Sequence, residues 1–356
     1  LTVADRTITV AVDAKSLSGQ PTGVGRVLGG VLDAVETGAD RTVQIRRLEP
    51  AEGARTLPWI MVGLPLGARG ADVLHCPFYY RPLVAPCPTV IVVHDLLALT
   101  RPEWFPRRGR WRLGRLIRWS IRRAAAVITP SRCVLHEIEG AFGPLAGLGV
   151  AIPHGVDPDL FRPASPGLRD EVCARHRLGG RYLLHVGSLQ ARRGLDTAIE
   201  ALHRLRSRHP GLELVLVGKT EHGWRAGLPD PSGVRQLGYV GEGDLAPLMS
   251  AAACVLALSR GEGFDLPLLE ALACGAPVVA SDIPPHREHF ERWAELIPAG
   301  DGAAVAAVVD DLLAGRVAPR DGAEQAGEVH RAFRWRDAAA ARIEVWRTVA
   351  DRMGGA

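Results

Sequence analysis

Short apolar runs alternate with longer amphipathic stretches along the whole chain. Residues 7–12 (TITVAV) form a β-branched run, and further strand-like runs stand at 71–75, 89–94 and 125–129. Polar or Gly/Pro-rich stretches separate them. One is a loop over 13–25, holding Gly19, Pro21, Gly23 and Gly25, which leads into a helix ending near residue 36. The second half repeats the scheme with a clearer rhythm: strands at 181–186, 212–217, 253–258 and 277–280, helices at 195–208, 243–251 and 267–274. Strands that are apolar throughout must be buried on both faces, and alternation with helices does this by covering a parallel sheet on each side. The pattern predicts an α/β protein with two Rossmann-like halves.

Between the halves, 152–166 (IPHGVDPDLFRPASP) is rich in Pro, Gly and Asp and has no periodicity, as a linker should. A chain of 356 residues also suits two domains. The expected domains are 1–155 and 165–334, each with its ligand face at the carboxyl ends of its strands.

Composition narrows the function classes. Apolar residues make up 47% and aromatics 5%, which fits an Ala/Val/Leu-rich α/β protein and argues against disorder. A net charge of +4 is small for this length and speaks against a nucleic-acid partner. The basic residues are Arg except for Lys15 and Lys219, the codon usage of a GC-rich bacterial genome. The six cysteines are scattered without a C-x-x-C pair, which fits a reducing cytoplasm rather than zinc or disulfides. Neither a long apolar span nor a basic-then-apolar leader is expected, so the protein reads as soluble and cytoplasmic, or as resting on the inner membrane face.

The densest chemistry lies in 253–281, ACVLALSRGEGFDLPLLEALACGAPVVAS. A buried strand runs to Ser259, a Gly-bracketed loop follows, Pro267 suits a first helical position and Gly275 a helix end. The loop's N–H groups and the helix N-terminus make a seat for a diphosphate. Glu270 on the helix could then reach ribose hydroxyls, and Glu262 in the loop a transferred sugar.

The pattern Glu262-Gly263-Phe264-x-Leu266-Pro267, with Glu270 eight positions after Glu262, resembles the signature of family 4 retaining glycosyltransferases. HVGSLQARRGLDTAIEA (185–201) resembles that family's strand-loop-helix whose basic pair binds the donor diphosphate, here Arg192 and Arg193 beside Gly187, Ser188 and, further on, Lys219. Gly23-Val24-Gly25-Arg26 is similar to the family's glycine loop, His94-Asp95 to a strand end whose His contacts the donor sugar, and Gly238-Tyr239-Val240 to a loop that holds the nucleobase. Residues 129–131 and 153–157 match the domain edge and hinge, and 333–346 resembles the last helix, so that 335–356 is expected to pack back on the first domain. Three departures stand out: Ser188 where many members carry Arg, His154 for Asn, and Asp265 for Gly.

The resemblance implies a GT-B architecture, two Rossmann-like domains facing each other across a cleft. It implies a hexosyltransferase taking a nucleotide-diphosphosugar, with GDP-mannose or a deoxyhexose donor favoured, to a small-molecule, glycan or lipid-linked acceptor, with no metal and no cofactor. His94, Glu262, Arg192 and Arg193 are the expected catalytic groups. Donor binding falls to Gly23, Gly25, Gly187, Ser188, Lys219, Tyr239, Val240, Gly263, Phe264, Asp265, Leu266 and Glu270. Asp265 either reads a donor hydroxyl or caps the helix that follows. A nucleotide-sugar epimerase of the same architecture and a non-catalytic nucleotide-sugar-binding protein are the alternatives.

Two motifs are read as decoys. Asp157-Pro158-Asp159 spells D-x-D but lies in the linker, and His286 and His289 share a helix face without a third ligand at metal spacing. The stretch 101–123 (RPEWFPRRGRWRLGRLIRWSIRR) remains open between two readings. It is a helix packed on the first sheet with a solvated Arg face, or a basic, Trp-bearing surface for an anionic membrane.

Overall fold

The computed structural model describes residues 6–18, 22–38, 40–105, 110–220 and 232–354. The chain divides into two compact units: Leu1–Gly155 together with Phe333–Ala356, and Val156–Ala332. Each unit contains one six-stranded, wholly parallel sheet.

In the first unit the strands are β1 (Ile8–Asp13), β2 (Val43–Leu48), β3 (Val73–Cys76), β4 (Thr89–Val92), β5 (Ala126–Thr129) and β6 (Leu148–Ala151), in the order β2-β1-β3-β4-β5-β6. One face is covered by helices Gly23–Thr37 and Trp335–Gly354, which bring Leu28, Val31, Leu32 and Trp346 onto Val10, Val12 and Val92. The other face packs Leu64, Ile117, Ile121 and Ile138 against Leu74 and Ile91.

The second unit holds β7 (Tyr182–Val186), β8 (Glu213–Val217), β9 (Val234–Gly238), β10 (Cys254–Ala257), β11 (Val278–Ser281) and β12 (Glu295–Ile297), ordered β12-β11-β10-β7-β8-β9. Helices Leu195–Arg206 and Gly302–Leu313 share a core with Leu183, Leu214 and Leu256.

The α/β reading holds, with differences of detail. The strands β2, β6, β9 and β12 were not expected, and all four lie at sheet edges. The expected loop over 13–25 is shorter than anticipated: a tight turn at Lys15–Leu17 precedes a helix that already begins at Gly23. Thr22 caps that helix through Oγ1, accepting the Gly25 N–H at 3.1 Å. A side chain at Gly25 would place Cβ 2.3 Å from the Ser16 carbonyl oxygen, so glycine lets the turn and the helix touch. Gly23 and Gly25 thus belong to a first helical turn rather than to a loop.

The basic stretch forms helix Arg110–Arg123. Ile117 and Ile121 are 1% exposed, while Arg115, Arg118, Arg122 and Arg123 face solvent. Its apolar side is therefore committed to the first unit's core. Arg107 and Arg108, and the side chains of Arg110, Trp111, Arg112 and Leu113, lie outside the described residues. Among the described residues, no helix is long and apolar enough to cross a membrane.

Candidate functional site

In the second unit, the loops after β7, β8 and β10 gather at the carboxyl ends of the central strands. Gly187 leaves β7 with φ +136°, and Ser188–Gln190 run beside Lys219–Thr220, where Leu189 and Thr220 form a parallel bridge. A tight turn, Ala191–Arg193, then carries the two arginines and closes on Gly194 in the left-handed region. A Cβ at Gly194 would stand 2.0 Å from the Leu258 carbonyl oxygen. Glycine here brings the basic turn against the end of β10. The Arg260 N–H donates to the Arg192 carbonyl at 2.8 Å and ties the two loops together.

The side chains of Arg192, Arg193 and Glu262 are 14%, 13% and 8% exposed. Arg192 lies 3.2 Å from Glu262 Oε1, and its guanidinium also donates to the Gly261 carbonyl and to Gln190 Oε1. Arg193 pairs closely with the same Glu262 oxygen and reaches Ser259 Oγ at 3.4 Å. One carboxylate thus holds both guanidinium groups in place, which removes much of the entropy an exposed Arg would lose on gripping an anion. The arginines are built into the fold rather than solvated on a loop.

Asp265 stands at the head of the helix and faces the arginine pair. It occupies the N-cap position of helix Leu266–Ala273 at φ +91°, a strained value for a residue with a Cβ, yet its side chain makes no cap hydrogen bond. The carboxylate turns inward, 3% exposed, with Oδ1 3.8 Å from Arg193 and Oδ2 3.3 Å from His286 Nε2. Burial alone would raise its pKa. The contact with His286 and the Arg193 charge outweigh that and hold it below the usual carboxylate range. His286 is fully buried and its Nδ1 donates to the Ser281 carbonyl at 2.8 Å, leaving Nε2 for Asp265. His286 was legible only as half of a weak metal spacing; its real place behind Asp265 has no signal in the local pattern.

The remaining residues expected in this unit scatter in environment. Gly263, Phe264 and Glu270 are buried, and Glu270 is 2% exposed on helix Leu266–Ala273. Phe264 packs against His289 and Phe290, ring centroids 4.8 and 5.4 Å away, so its ring anchors the loop. Leu266 and Ser188 are half-buried and Lys219 is exposed. Tyr239 (47% exposed) and buried Val240 follow the end of β9 at Gly238. His185, inside β7, was not singled out from sequence. Its Nδ1 donates to the Leu256 carbonyl, and burial, with the nearby Arg193 charge, pushes its pKa down to about 4. Asp157 Oδ1 accepts from the Asp159 N–H, a local turn in the linker.

In the first unit, His94 lies just past β4, half-buried, and its Nε2 donates to the Pro77 carbonyl at 3.0 Å. That bond fixes the neutral tautomer with Nδ1 as an acceptor. Burial lowers its pKa to about 4; the Pro77 bond opposes this and the charge of Arg342 reinforces it. Its ring stands 5.7 Å from His154, which in turn stacks on Trp335. Gly23 and Gly25 open the helix after β1, in the same unit.

Two family models match in succession: Glycosyltransferase Family 4 over residues 29–160 and Glycosyl transferases group 1 over 180–315. The chain belongs to the family 4 glycosyltransferases. It is 29% identical over 316 residues to the glycogen synthase of Mycobacterium tuberculosis, covering 81% of this chain and 72% of that protein. It is 30% identical over 224 residues to the O-antigen chain mannosyltransferase B of Escherichia coli, covering 59% and 57% of the two chains. Its fold is the GT-B fold. The structure of Anabaena Alr3699/HepE in complex with UDP-glucose superposes with a TM-score of 0.74 at 19% identity, covering 96% of this chain and 100% of that one.

Proposed function

We propose that this family 4 enzyme is a retaining transferase. It moves a hexosyl group from a nucleotide-diphosphosugar, GDP-mannose or a deoxyhexose donor before others, to an acceptor hydroxyl. The observation that carries the reading is the Arg192–Arg193–Glu262 cluster, held rigid at the end of β10 beside the start of helix Leu266–Ala273. The similarity to a mannosyltransferase favours the donor class.

The donor's diphosphate sits on the two guanidinium groups and on the loop's N–H groups, and Glu270 takes the ribose hydroxyls. In the transfer, the bond from the anomeric carbon to the diphosphate oxygen breaks. The acceptor oxygen bonds that carbon on the same face, and the acceptor's proton passes to the departing diphosphate oxygen. Charge accumulates on the leaving group, where fixed cations and dipoles stabilise it. Glu262 orients the arginines until the diphosphate competes for them. His94, neutral with Nδ1 free to accept, receives a sugar hydroxyl. Because the arginines take the part of a divalent cation, transfer proceeds without one. The exposed Arg115, Arg118, Arg122 and Arg123 give the first unit a basic surface for peripheral contact with an anionic membrane and a lipid-linked acceptor at the cytoplasmic face.

The test is nucleotide release from GDP-mannose, UDP-glucose and dTDP-sugars, with and without candidate acceptors. GDP released in step with a glycosylated product is expected, at an unchanged rate in EDTA. Loss of turnover on chelation, restored by magnesium, overturns the metal-free step. Donor binding without release marks a non-catalytic binder, and a rearranged donor an epimerase.

A further inference from the structure

The second unit opens again at the other end of its sheet. Near the amino ends of β11 and β12, a cavity of about 190 Å³ is walled by Val278, Trp293, Val308 and Leu312. Val278 begins β11, Trp293 precedes β12, and Val308 and Leu312 belong to helix Gly302–Leu313. The arginine pair follows the carboxyl end of β7, so the two places stand at opposite ends of one parallel sheet. An apolar cavity of roughly 150 Å³ already takes a benzene molecule. The space therefore suits one six-membered ring with a small substituent.

One polar side chain lies deep in the lining. Gln325, on helix Gly322–Ala332, is 4% exposed, and its Nε2 donates to the Leu272 carbonyl at 3.2 Å and the Ala276 carbonyl at 3.0 Å. Two carbonyl partners settle which end of the amide is nitrogen, because a carbonyl has no proton to give. Both amide protons are thus spent, and among the described residues nothing donates to Oε1. The indole N–H of Trp293 is spent as well, donating to Glu328 Oε2 at 2.8 Å. The charged lining residues lie further out: Glu295 and Arg320 are exposed, and Asp311 Oδ1 accepts from Arg316 Nε at 2.6 Å. The interior offers apolar walls and one acceptor, and what fits it is a ring with one donor.

We propose that this cavity is a binding site for a phenol, its hydroxyl on Gln325 Oε1 and its ring beside Trp293. Polarity sets the class. A hexose carries hydroxyls all round its ring, and most would lie unmet against Val278, Val308 and Leu312. An ion would find no buried counter-charge, and Glu295 and Arg320 at the mouth have opposite signs. A flat aromatic ring meets the apolar walls, and a single hydroxyl satisfies the waiting acceptor. Further polar groups of the ligand would project to the mouth. Leu272, which Gln325 holds, lies in the last turn of the helix that opens at Asp265, so the site stands at the far end of that helix from the arginines. It does not depend on the donor proposed above.

The probes are phenol, its isostere toluene, glucose and 4-bromophenol, all with the intact chain. Calorimetry should show phenol saturating one site, several-fold tighter than toluene, and unchanged by saturating GDP. A purely apolar void prefers toluene, so Gln325→Met should reverse the order. Crystals soaked in 4-bromophenol should show an anomalous bromine peak towards the mouth and the phenol oxygen at Gln325 Oε1, a readout that stands if Gln325→Met fails to fold. Toluene binding as tightly as phenol, displacement of phenol by GDP or by glucose, or a soaked crystal without the bromine peak in this cavity overturns the proposal.

Discussion

The two units share a six-stranded parallel sheet but equip the carboxyl ends of their strands in opposite ways. Beyond β7 and β10 stand buried charges that neutralise one another: Arg192 and Arg193 against Glu262 and Asp265. At the ends of β3 and β4 stand neutral rings, His75 and His94, with Arg342, which pairs with no carboxylate among the described residues, behind them. One scaffold thus supports two electrostatic designs. Mutual pairing lets the second unit keep fixed cations under little strain, ready for an anion that competes with Glu262. Neutral imidazoles in the first unit offer lone pairs and N–H groups, which suit hydroxyls, and demand deprotonation to stay buried.

Removing one member of the paired set is the hardest blow to this contrast. Arg193→Ala leaves Glu262 and Asp265 buried against one fewer cation, and breaking a buried pair costs about 3–5 kcal/mol. Denaturant unfolding should show that loss. Calorimetry with GDP, UDP and dTDP should show affinity down by roughly 10- to 100-fold. Arg193→Lys should recover stability more than affinity, because the fork that grips phosphate is gone. Wild-type binding in Arg193→Ala would mean that the diphosphate sits elsewhere.

Acid separates the designs next. A histidine whose folded pKa lies below its unfolded value binds its proton preferentially in the unfolded chain, so stability falls as pH drops from about 6.5 towards the folded pKa. Folded values of about 3 for His75 and about 4 for His94 and His185 set that window. The slope approaches about 1.4 kcal/mol per pH unit for each histidine. Two of the three belong to the first unit, so His75→Gln with His94→Gln should remove more of the slope between pH 6.5 and 4 than His185→Gln. Equal slopes in all variants would show that carboxylates alone drive acid unfolding.

A gentler change adjusts the balance within the paired set. Asp265→Gly relieves a φ of +91° but gives up the contacts with His286 and Arg193, so the melting temperature should move little. Arg193 loses one competing carboxylate, and nucleoside diphosphates should bind tighter by about 1 kcal/mol, roughly fivefold, with the gain shrinking in salt. Competition among nucleotide sugars would reveal any change of preference. A lower melting temperature with unchanged affinity would make Asp265 a purely structural residue.

The smallest effect concerns the first unit's exterior. With Ile117 and Ile121 buried, the described part of helix Arg110–Arg123 offers a bilayer its exposed arginines, each worth about 1 kcal/mol near an anionic surface. Sedimentation with anionic vesicles at low salt should succeed, and high salt or neutral vesicles should abolish it. Binding that survives salt would show that an apolar contact, not the arginines, carries it.

What could be read from the amino-acid order was whatever periodicity and motif carry locally. Eight strands were legible because they lie inside their sheets, buried on both faces, and so must be apolar throughout. The edge strands β2 (VQIRRL), β9 (VRQLG) and β12 (ELI) escaped because an edge is half solvated and polar residues enter the run, and β6 (LGVA) because it is four half-buried residues with a glycine among them. The Arg pair and the Glu262–Glu270 spacing were likewise visible, since each lies within one loop-helix segment. Only the tertiary structure decided what those side chains touch. Arg193 meets Glu262 across 69 positions of chain because β7 and β10 are neighbours in the sheet. Asp265 turns to His286 because β11 lies beside β10, and Arg342 comes to stand behind His75 because the last helix closes over the first unit's sheet. Such pairings follow from strand order, a property of the whole chain that no window of neighbouring residues contains.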